Sequence, residues 1–160
     1  MQLRLRSASA ADTAAIGAAL ADLLEPGDVV VVSGDLGAGK TCLVQGAGPA
    51  LGVRVRITSP SFVLMRSYPG RIRVVHVDVY RLNSLQELIE LGYEEVFDPD
   101  AVTFIEWGDA VAGVLPEERF EVGITGGGDD PRAIVVRARG EPPAKRLDAA
   151  RDRFAGWEAP

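Results

Sequence analysis

Residues 34–41 read Gly-Asp-Leu-Gly-Ala-Gly-Lys-Thr, GDLGAGKT in one-letter code, and this stretch decides the fold. It follows four consecutive valines, Val29–Val32, a β-branched apolar run that predicts a buried strand. It precedes residues 42–47, CLVQGA, which can continue as a helix. A strand, a glycine-rich turn ending in Lys-Thr and a helix are the context that the phosphate-binding pattern G-x-x-x-x-G-K-[ST] requires. We therefore predict a site for a nucleoside triphosphate at residues 34–41, called the phosphate loop below.

Each residue type in the phosphate loop has a chemical reason. Glycines at 34, 37 and 39 let the backbone curl so that successive N–H groups can face phosphate oxygens. Lys40 is predicted to reach the β- and γ-phosphates, and the Thr41 hydroxyl to ligate Mg²⁺. The alternative is a plain glycine turn, but Lys40 is one of only two lysines in an arginine-rich chain. The predicted nucleotide-contacting set in this region is Gly34, Asp35, Leu36, Gly37, Ala38, Gly39, Lys40, Thr41 and Cys42.

Composition excludes several classes of protein. The chain has 160 residues, 47% of them hydrophobic, which fits one α/β domain. With one cysteine and one histidine, an internal disulfide is impossible and a Cys/His zinc site is implausible. A net charge of −6 disfavours direct binding to a nucleic acid backbone. No apolar run is long enough to span a membrane and residues 1–10 lack a signal-peptide pattern, so we expect a cytoplasmic protein with no membrane partner.

Elements around the phosphate loop follow from periodicity. Residues 2–6 alternate as a short edge strand, and residues 10–24 have helical spacing before Pro26-Gly27. A second helix is predicted from Lys40 to about residue 48 or 51, with Pro49 kinking or ending it. Pro69-Gly70 predicts a hairpin between residues 62–68 and 71–81.

The second strand of that hairpin has two different faces. Val75, Val77 and Val79 share one face, whereas His76, Asp78 and Tyr80 share the other. That polar face is either solvated or directed at bound nucleotide, and the two alternatives are left open.

A second acidic residue follows a second apolar strand. Residues 101–105, AVTFI, predict a buried strand that delivers Glu106 at its carboxyl end, where ligands bind in open α/β sheets. A carboxylate there is what a Mg²⁺-holding second motif requires, although a surface glutamate is the alternative. Between the strands, Ser84-x-x-Glu87 predicts a capping box for a helix that Gly92 ends.

The rest of the chain completes the predicted architecture. Residues 110–115 predict a helical turn, and residues 120–124 and 133–139 predict a second hairpin. We predict an α/β fold, three-layered and P-loop NTPase-like, with a mostly parallel central sheet and an antiparallel hairpin. Residues 1–140 would form the P-loop ATPase domain, and residues 141–160 a tail that is either disordered or a short helix.

Five segments in order resemble the TsaE (YjeE) family: GDLGAGKT, TSPSF (58–62), HVDVYRL (76–82), ELGYEEVF (90–97) and FIEWGD (104–109). This family comprises small bacterial P-loop ATPases of the tRNA threonylcarbamoyladenosine pathway. The resemblance implies ATP and Mg²⁺ as cofactors, with weak hydrolysis by the chain alone. It also implies action with TsaD and TsaB, in which TsaD transfers the threonylcarbamoyl group to adenosine 37 and tRNA is met only through the complex.

The resemblance also implies roles for individual residues. Lys40, Asp78 and Glu106 would be the catalytic set, and Thr41, Asp78 and Glu106 would hold the metal. Which carboxylate orients the attacking water stays open.

Further nucleotide contacts are implied outside the phosphate loop. Ser59 and Ser61 lie in the family's switch-like loop, for which a plain turn before a strand is the alternative. Thr13 and Arg132 would lie near the adenine. Cys42 stands where a hydroxyl residue is usual, and the tail beyond Gly140 has no counterpart that can be placed.

Three other functions are alternatives to this one. A small-molecule kinase is the main alternative, but residues 122–131 are short and Gly/Asp-rich rather than an Arg-rich lid. A guanine-nucleotide switch needs N-K-x-D, and the chain's single asparagine, Asn83, is followed by Ser84. A nucleotide-sensing module without turnover would be separated from an ATPase only by a hydrolysis assay.

Overall fold

A computed structural model of the chain describes residues 1–35, 37–58, 65–79, 85–106, 112–127 and 130–160. Its strands and helices, in chain order, are β1 (Gln2–Ser7), α1 (Ala10–Ala21), β2 (Val29–Gly34), α2 (Lys40–Ala50), β3 (Met65–Tyr68), β4 (Arg73–Asp78), α3 (Leu85–Val96), β5 (Ala101–Glu106), β6 (Arg119–Thr125), β7 (Arg132–Arg139), α4 (Glu141–Ala149) and a 3-10 helix (Arg151–Trp157).

The seven strands form one sheet in the order β1-β7-β6-β2-β5-β4-β3. The middle of the sheet is parallel, because β2 pairs in parallel with both β5 and β6, and β5 with β4. Both margins are antiparallel, made by the β3–β4 hairpin on one side and by β6, β7 and β1 on the other. The predicted α/β fold and both predicted hairpins are confirmed, and β1 is an edge strand as expected.

The sheet has a different apolar cluster on each face. On one face, Ile16 and Leu20 of α1 and Val44 of α2 pack on alternate residues of the strands, such as Phe104 and Phe120. On the other face, a smaller cluster joins residues of β2, β4 and β5 to Val96 at the end of α3 and to the partly buried residues 114 and 115. Because β2, β5 and β4 are parallel neighbours, their carboxyl ends meet at one end of the sheet, where α2 begins.

Helices α1 and α2 approach each other at two glycines. A Cβ atom at Gly17 would lie 2.1 Å from the carbonyl oxygen of Leu43, and one at Gly46 would lie 1.9 Å from that of Ala14. Either atom would overlap the facing backbone, so this close contact requires glycine at both positions.

Helix boundaries differ from the sequence prediction at two places. Helix α1 ends at Ala21 rather than near residue 24, and the Ser9 side chain caps its start by accepting from the Asp12 N–H. Helix α3 does not end at Gly92: that residue takes a left-handed conformation (φ 109°), and helical backbone resumes to Val96. Gly92 therefore kinks the helix and does not end it. The helix continues to Val96, which packs in the smaller apolar cluster. The predicted capping serine, Ser84, lies outside the described residues.

The segment 141–160 is helical and packs on the sheet. Leu147 of α4 and Phe154 of the 3-10 helix are fully buried in the larger apolar cluster. Arg146 donates two hydrogen bonds to the Asp28 carboxylate, 2.6 and 2.9 Å, and its guanidinium lies 5.4 Å from the ring centre of Phe120. Of the two states predicted for this segment, the structure shows the helical one. Within the described ranges, no helix is long and apolar enough to cross a bilayer.

Candidate functional site

The phosphate loop leaves β2 and turns into α2 through left-handed glycines. Gly39, the residue before α2, has φ 109° and Gly37 has φ 79°. At Gly34, with φ 154°, a Cβ atom would lie 2.5 Å from the carbonyl oxygen of Ile124 on β6. Since Gly39 offers no capping side chain, the first N–H groups of α2 have no side-chain acceptor from that position. The loop therefore presents the uncapped, positive end of a helix dipole.

Lys40 folds back over the phosphate loop. Its Nζ donates to the carbonyl oxygens of Gly34 and Asp35, each at 2.9 Å. Burial lowers the pKa of Lys40, and the charges of Glu106, Asp78 and Asp35 partly offset that effect. An ammonium thus sits inside the curl of the loop with carboxylates nearby.

Thr41 and Glu106 meet directly beside the loop. The Thr41 hydroxyl donates to Oε1 of Glu106 at 3.2 Å, although the two residues are 65 positions apart in the chain. Glu106 is 3% exposed, and its other oxygen, Oε2, lies 2.7 Å from Nε2 of His76. Because a carboxylate only accepts, Nε2 of His76 carries the proton of that bond. The carboxylate is therefore held from both sides.

Asp78 lies beside this carboxylate on the neighbouring strand. Asp78 and Glu106 are register partners of the parallel pair β4–β5, and Val32, just before the loop, is the register partner of Glu106 on β2. The side chains of His76, Asp78 and Glu106 share the face of the sheet on which α2 packs, since Val75 and Val77 join the opposite cluster. The alternation predicted for this strand is confirmed over residues 75–79.

Thr13 and Arg132 flank the last glycine of the loop. A Cβ atom built on Gly39 would lie 3.2 Å from Nε of Arg132 and 3.7 Å from Cγ2 of Thr13. The Thr13 hydroxyl is within 2.7 Å of the Ser7 hydroxyl, which fixes the threonine in place. Nε of Arg132 is buried and has no hydrogen-bond partner among the described residues. These two residues, distant in sequence, are therefore neighbours of the phosphate loop.

The remaining predicted nucleotide contacts make different contacts near the loop, and some lie outside the described residues. Ala38 is buried and its N–H donates to the Asp35 carbonyl at 3.0 Å. The thiol of Cys42 donates to the Ala10 carbonyl of α1 at 3.2 Å, so its side chain contacts α1. The residues that fall outside the described ranges are Leu36, Ser59, Ser61 and Tyr80.

Sequence reasoning did not include His76 or Gly127 in the site. His76 is fully buried, so at this position a solvated face is wrong, and the imidazole orients Glu106. The signal was present in the His-x-Asp alternation, but the partner on β5 could not be read from one strand. A Cβ atom on Gly127 would lie 3.0 Å from the Gly37 carbonyl oxygen, so the loop after β6 packs closely against the phosphate loop.

A protein-family model matches the part of the chain that holds the candidate site. Residues 7–134 match the model of the family described as "Threonylcarbamoyl adenosine biosynthesis protein TsaE". The chain belongs to the TsaE family. The match runs from the last residue of β1 to the start of β7 and thus includes the phosphate loop, both carboxylates, His76 and Arg132.

Similar TsaE proteins come from distant bacteria. A tRNA threonylcarbamoyladenosine biosynthesis protein TsaE of Treponema pallidum is 44% identical over 134 residues, covering 84% of this chain and 99% of that protein. The protein of the same name from Bacillus subtilis is 37% identical over 140 residues, with 87% of each chain covered. In structure, this TsaE chain superimposes on the crystal structure of Bacillus subtilis YdiB with a TM-score of 0.81 and 33% identity, over 95% of each chain.

Proposed function

We propose that this chain is an Mg²⁺-dependent ATPase subunit that supports threonylcarbamoyl transfer to adenosine 37 of tRNA, acting with TsaD and TsaB in the cytoplasm. The observation that carries the proposal is the convergence of Lys40, Thr41 and Glu106 at the start of α2. The names of the similar proteins place them in threonylcarbamoyladenosine biosynthesis. The dependence on ATP and the partnership extend that placement to this chain through its family resemblance.

The phosphate loop suits a triphosphate because its donors are already arranged. Nζ of Lys40 donates to two carbonyl oxygens of the loop itself. The oxygens of a bound phosphate would replace these carbonyl acceptors, so the ammonium is already positioned for the phosphate. The uncapped start of α2 adds N–H donors and a favourable dipole. On the far side of Gly39, the buried Nε of Arg132 is a donor without a partner among the described residues, which fits a ligand group at that position.

Mg²⁺ fits the residues beside Lys40. Among the described residues, no three His, Cys, Asp or Glu side chains form a metal cage of their own. Mg²⁺ in phosphate-transfer sites uses one or two carboxylates, a hydroxyl and the phosphates themselves, so such a cage is not needed. Thr41 and Glu106 would hold the ion, with Asp78 alongside, and the ion would neutralise charge on the phosphate oxygens.

The chain's own groups account for the rest of the chemistry. Lys40 counters the charge that grows on the phosphate oxygens as water displaces ADP from the γ-phosphoryl group. The hydrogen bond from His76 holds the Glu106 carboxylate turned toward Thr41. Asp78 and Glu106 place two carboxylates at adjoining strand ends, within reach of the same edge of the loop. Slow turnover by the chain alone would follow if a partner supplies the missing cationic group.

The test is tRNA modification by purified chain, TsaD, TsaB, ATP and Mg²⁺, measured with ATP hydrolysis in the same samples. We expect repeated rounds of modification only with ATP, and free phosphate rather than a phosphorylated small molecule. Lys40→Ala should lower hydrolysis by about 10²-fold or more, because a preorganised charge on the phosphates is lost. The matched control is Lys145→Ala, the only other lysine, which is exposed on α4 and paired with Glu141. Unchanged multiple turnover with Lys40→Ala would refute the proposal.

A further inference from the structure

A buried serine at the end of β1 lies behind the two residues that flank the last glycine of the phosphate loop. Ser7 is 0% exposed, and serine is mostly an exposed residue type, so its burial needs specific hydrogen-bond partners. Its Oγ donates to the carbonyl oxygen of Ser9 at 2.8 Å and lies 2.7 Å from Oγ1 of Thr13 on α1. We call Ser7 and Thr13 the hydroxyl pair.

Both protons of the hydroxyl pair are used inside the protein. Ser7 donates its one proton to the Ser9 carbonyl, so its Oγ can only accept in the contact with Thr13. Thr13 therefore donates to Ser7 at 2.7 Å, and its longer alternative is the Ser9 carbonyl at 3.3 Å. A threonine in a helix otherwise divides between two χ1 rotamers, so these bonds hold Thr13 in one of them.

The hydroxyl pair fixes which group of Thr13 faces the phosphate loop. The hydroxyl is turned to Ser7, and the Thr13 atom nearest to a Cβ built on Gly39 is the methyl carbon Cγ2, at 3.7 Å. Ser7 is also the register partner of Arg132, whose Nε lies 3.2 Å from the same built atom. One serine thus supports both neighbours of Gly39, Thr13 through its side chain and Arg132 through strand pairing.

The hydroxyl pair lies on the opposite side of the phosphate loop from the carboxylates proposed to hold Mg²⁺. In the sheet order, β7 and β1 are on one side of β2, whereas β5 and β4, which carry Glu106 and Asp78, are on the other. The two sides share one end of the sheet, because Ser7 pairs with Arg132 and β7 begins where β6 ends. Mg²⁺ at the carboxylates would keep the γ-phosphate beside them, so the nucleoside would extend toward the hydroxyl pair.

We propose that Ser7 is a positioning residue of the nucleotide site, acting through Thr13 on the part of the nucleotide remote from the γ-phosphate. This inference rests on the proposed function, which supplies a nucleoside triphosphate as the ligand. Without the Ser7 hydroxyl, Thr13 populates a second rotamer, and its methyl group no longer faces Gly39 in every molecule. The change affects how tightly the nucleotide is held and not the reaction at the γ-phosphate, because an interaction equal in ground state and transition state alters KM and leaves kcat unchanged.

The test is the Kd of ADP and of a non-hydrolysable ATP analogue, each with Mg²⁺, measured by isothermal titration calorimetry for wild type and Ser7→Ala. We expect both Kd values to rise about three- to tenfold, the range that a displaced rotamer produces. Since ADP lacks the γ-phosphate, the two factors should agree within about twofold. In ATP hydrolysis, KM should rise by the same factor while kcat stays within about twofold of wild type.

A double-mutant cycle determines whether Ser7 acts through Thr13. In the Thr13→Val background, where there is no hydroxyl to hold, Ser7→Ala should change the Kd of ADP by less than about twofold. The matched control is Thr103→Val, since Thr103 is also a buried threonine whose hydroxyl donates to a backbone carbonyl, that of Val96 beside the smaller apolar cluster. Thr103→Val should lower the melting temperature without changing the Kd of ADP.

Several results would overturn this role of Ser7 while leaving the proposed function intact. They are an unchanged Kd with Ser7→Ala, an equal effect of Ser7→Ala in the Thr13→Val background, a loss confined to the ATP analogue or to kcat, and an equal rise in Kd with Thr103→Val. If Ser7→Ala does not fold, Thr13→Val breaks the same hydrogen bond, and an unchanged Kd of ADP with that variant is equally decisive. Failure of the wild-type chain to bind either nucleotide would refute this role and the proposed function together.

Discussion

The buried hydrogen bond between His76 and Glu106 gives the sharpest prediction about this fold. Replacing His76 with Ala removes the group that holds Oε2 of a carboxylate only 3% exposed. The other oxygen keeps its bond from Thr41 at 3.2 Å. The carboxylate is then buried with one partner fewer, and the imidazole leaves a cavity between β4 and β5.

The cost follows from these two losses. A buried carboxylate that loses the donor to one of its oxygens costs about 1–3 kcal/mol or more, and truncation of a large buried side chain adds about 2 kcal/mol. We therefore expect His76→Ala to lower the free energy of unfolding by about 3–5 kcal/mol, a large share of the roughly 5–15 kcal/mol of an ordinary domain. For a chain of this length the melting temperature should fall by about 10 °C.

The assay is urea unfolding followed by circular dichroism, arranged as a double-mutant cycle with Glu106→Gln. Because Gln has no charge to leave unpaired, His76→Ala should cost about 1–3 kcal/mol less in the Glu106→Gln background. His76→Gln, which keeps an N–H donor, should recover part of the loss. If His76→Ala costs the same in both backgrounds, within about 0.5 kcal/mol, the two side chains are independent and the reasoning is wrong.

Three further predictions test packing, docking of the C-terminal segment and the metal site. Gly46→Ala should destabilise the protein by about 1–3 kcal/mol in thermal unfolding, since its Cβ would overlap a backbone carbonyl of α1, whereas Gly156→Ala, with open space around it, should have little effect. Arg146→Ala should cost about 1–3 kcal/mol, because the half-buried Asp28 carboxylate loses the two hydrogen bonds from Arg146 and keeps only that from the Glu25 N–H; an unchanged urea midpoint would contradict this. Thr41→Ala should raise the Mg²⁺ concentration needed for half-maximal hydrolysis and, because Oε1 of the buried Glu106 loses its donor, should also lower the free energy of unfolding by about 1–3 kcal/mol; an unaltered Mg²⁺ titration would count against the hydroxyl as a ligand.

Local patterns were sufficient for much of the fold. The valine run before the phosphate loop, the apolar run before Glu106 and the Pro69-Gly70 turn each predicted an element that the structure contains. These signals work because burial and turn chemistry act over a few neighbouring residues. The loop residues and Glu106 could therefore be placed at one end of the sheet from the sequence, whereas the pattern left the direction of Asp78 open.

What could not be predicted depends on contacts between distant segments. His76 was recognised as unusual, but its partner, Glu106, lies on another strand. Helix α3 continues past Gly92 because its last turn has an apolar cluster to join, a tertiary effect that local propensity does not contain. For residues 141–160 terminal disorder was the favoured prediction, since Leu147 and Phe154 become decisive only when β7 and β1 offer a surface to cover.

The way in which the last residues meet β1 has a consequence for solubility. Glu158 bridges to Leu5 in antiparallel fashion, and the Ala159 N–H donates to the Arg4 carbonyl at 2.9 Å. The chain thereby occupies backbone groups at the margin of its own sheet, which would otherwise be a template for strand addition by a second molecule. A chain shortened before residue 141 would expose that margin together with the apolar side chains beneath it, and intermolecular aggregation would then compete with folding.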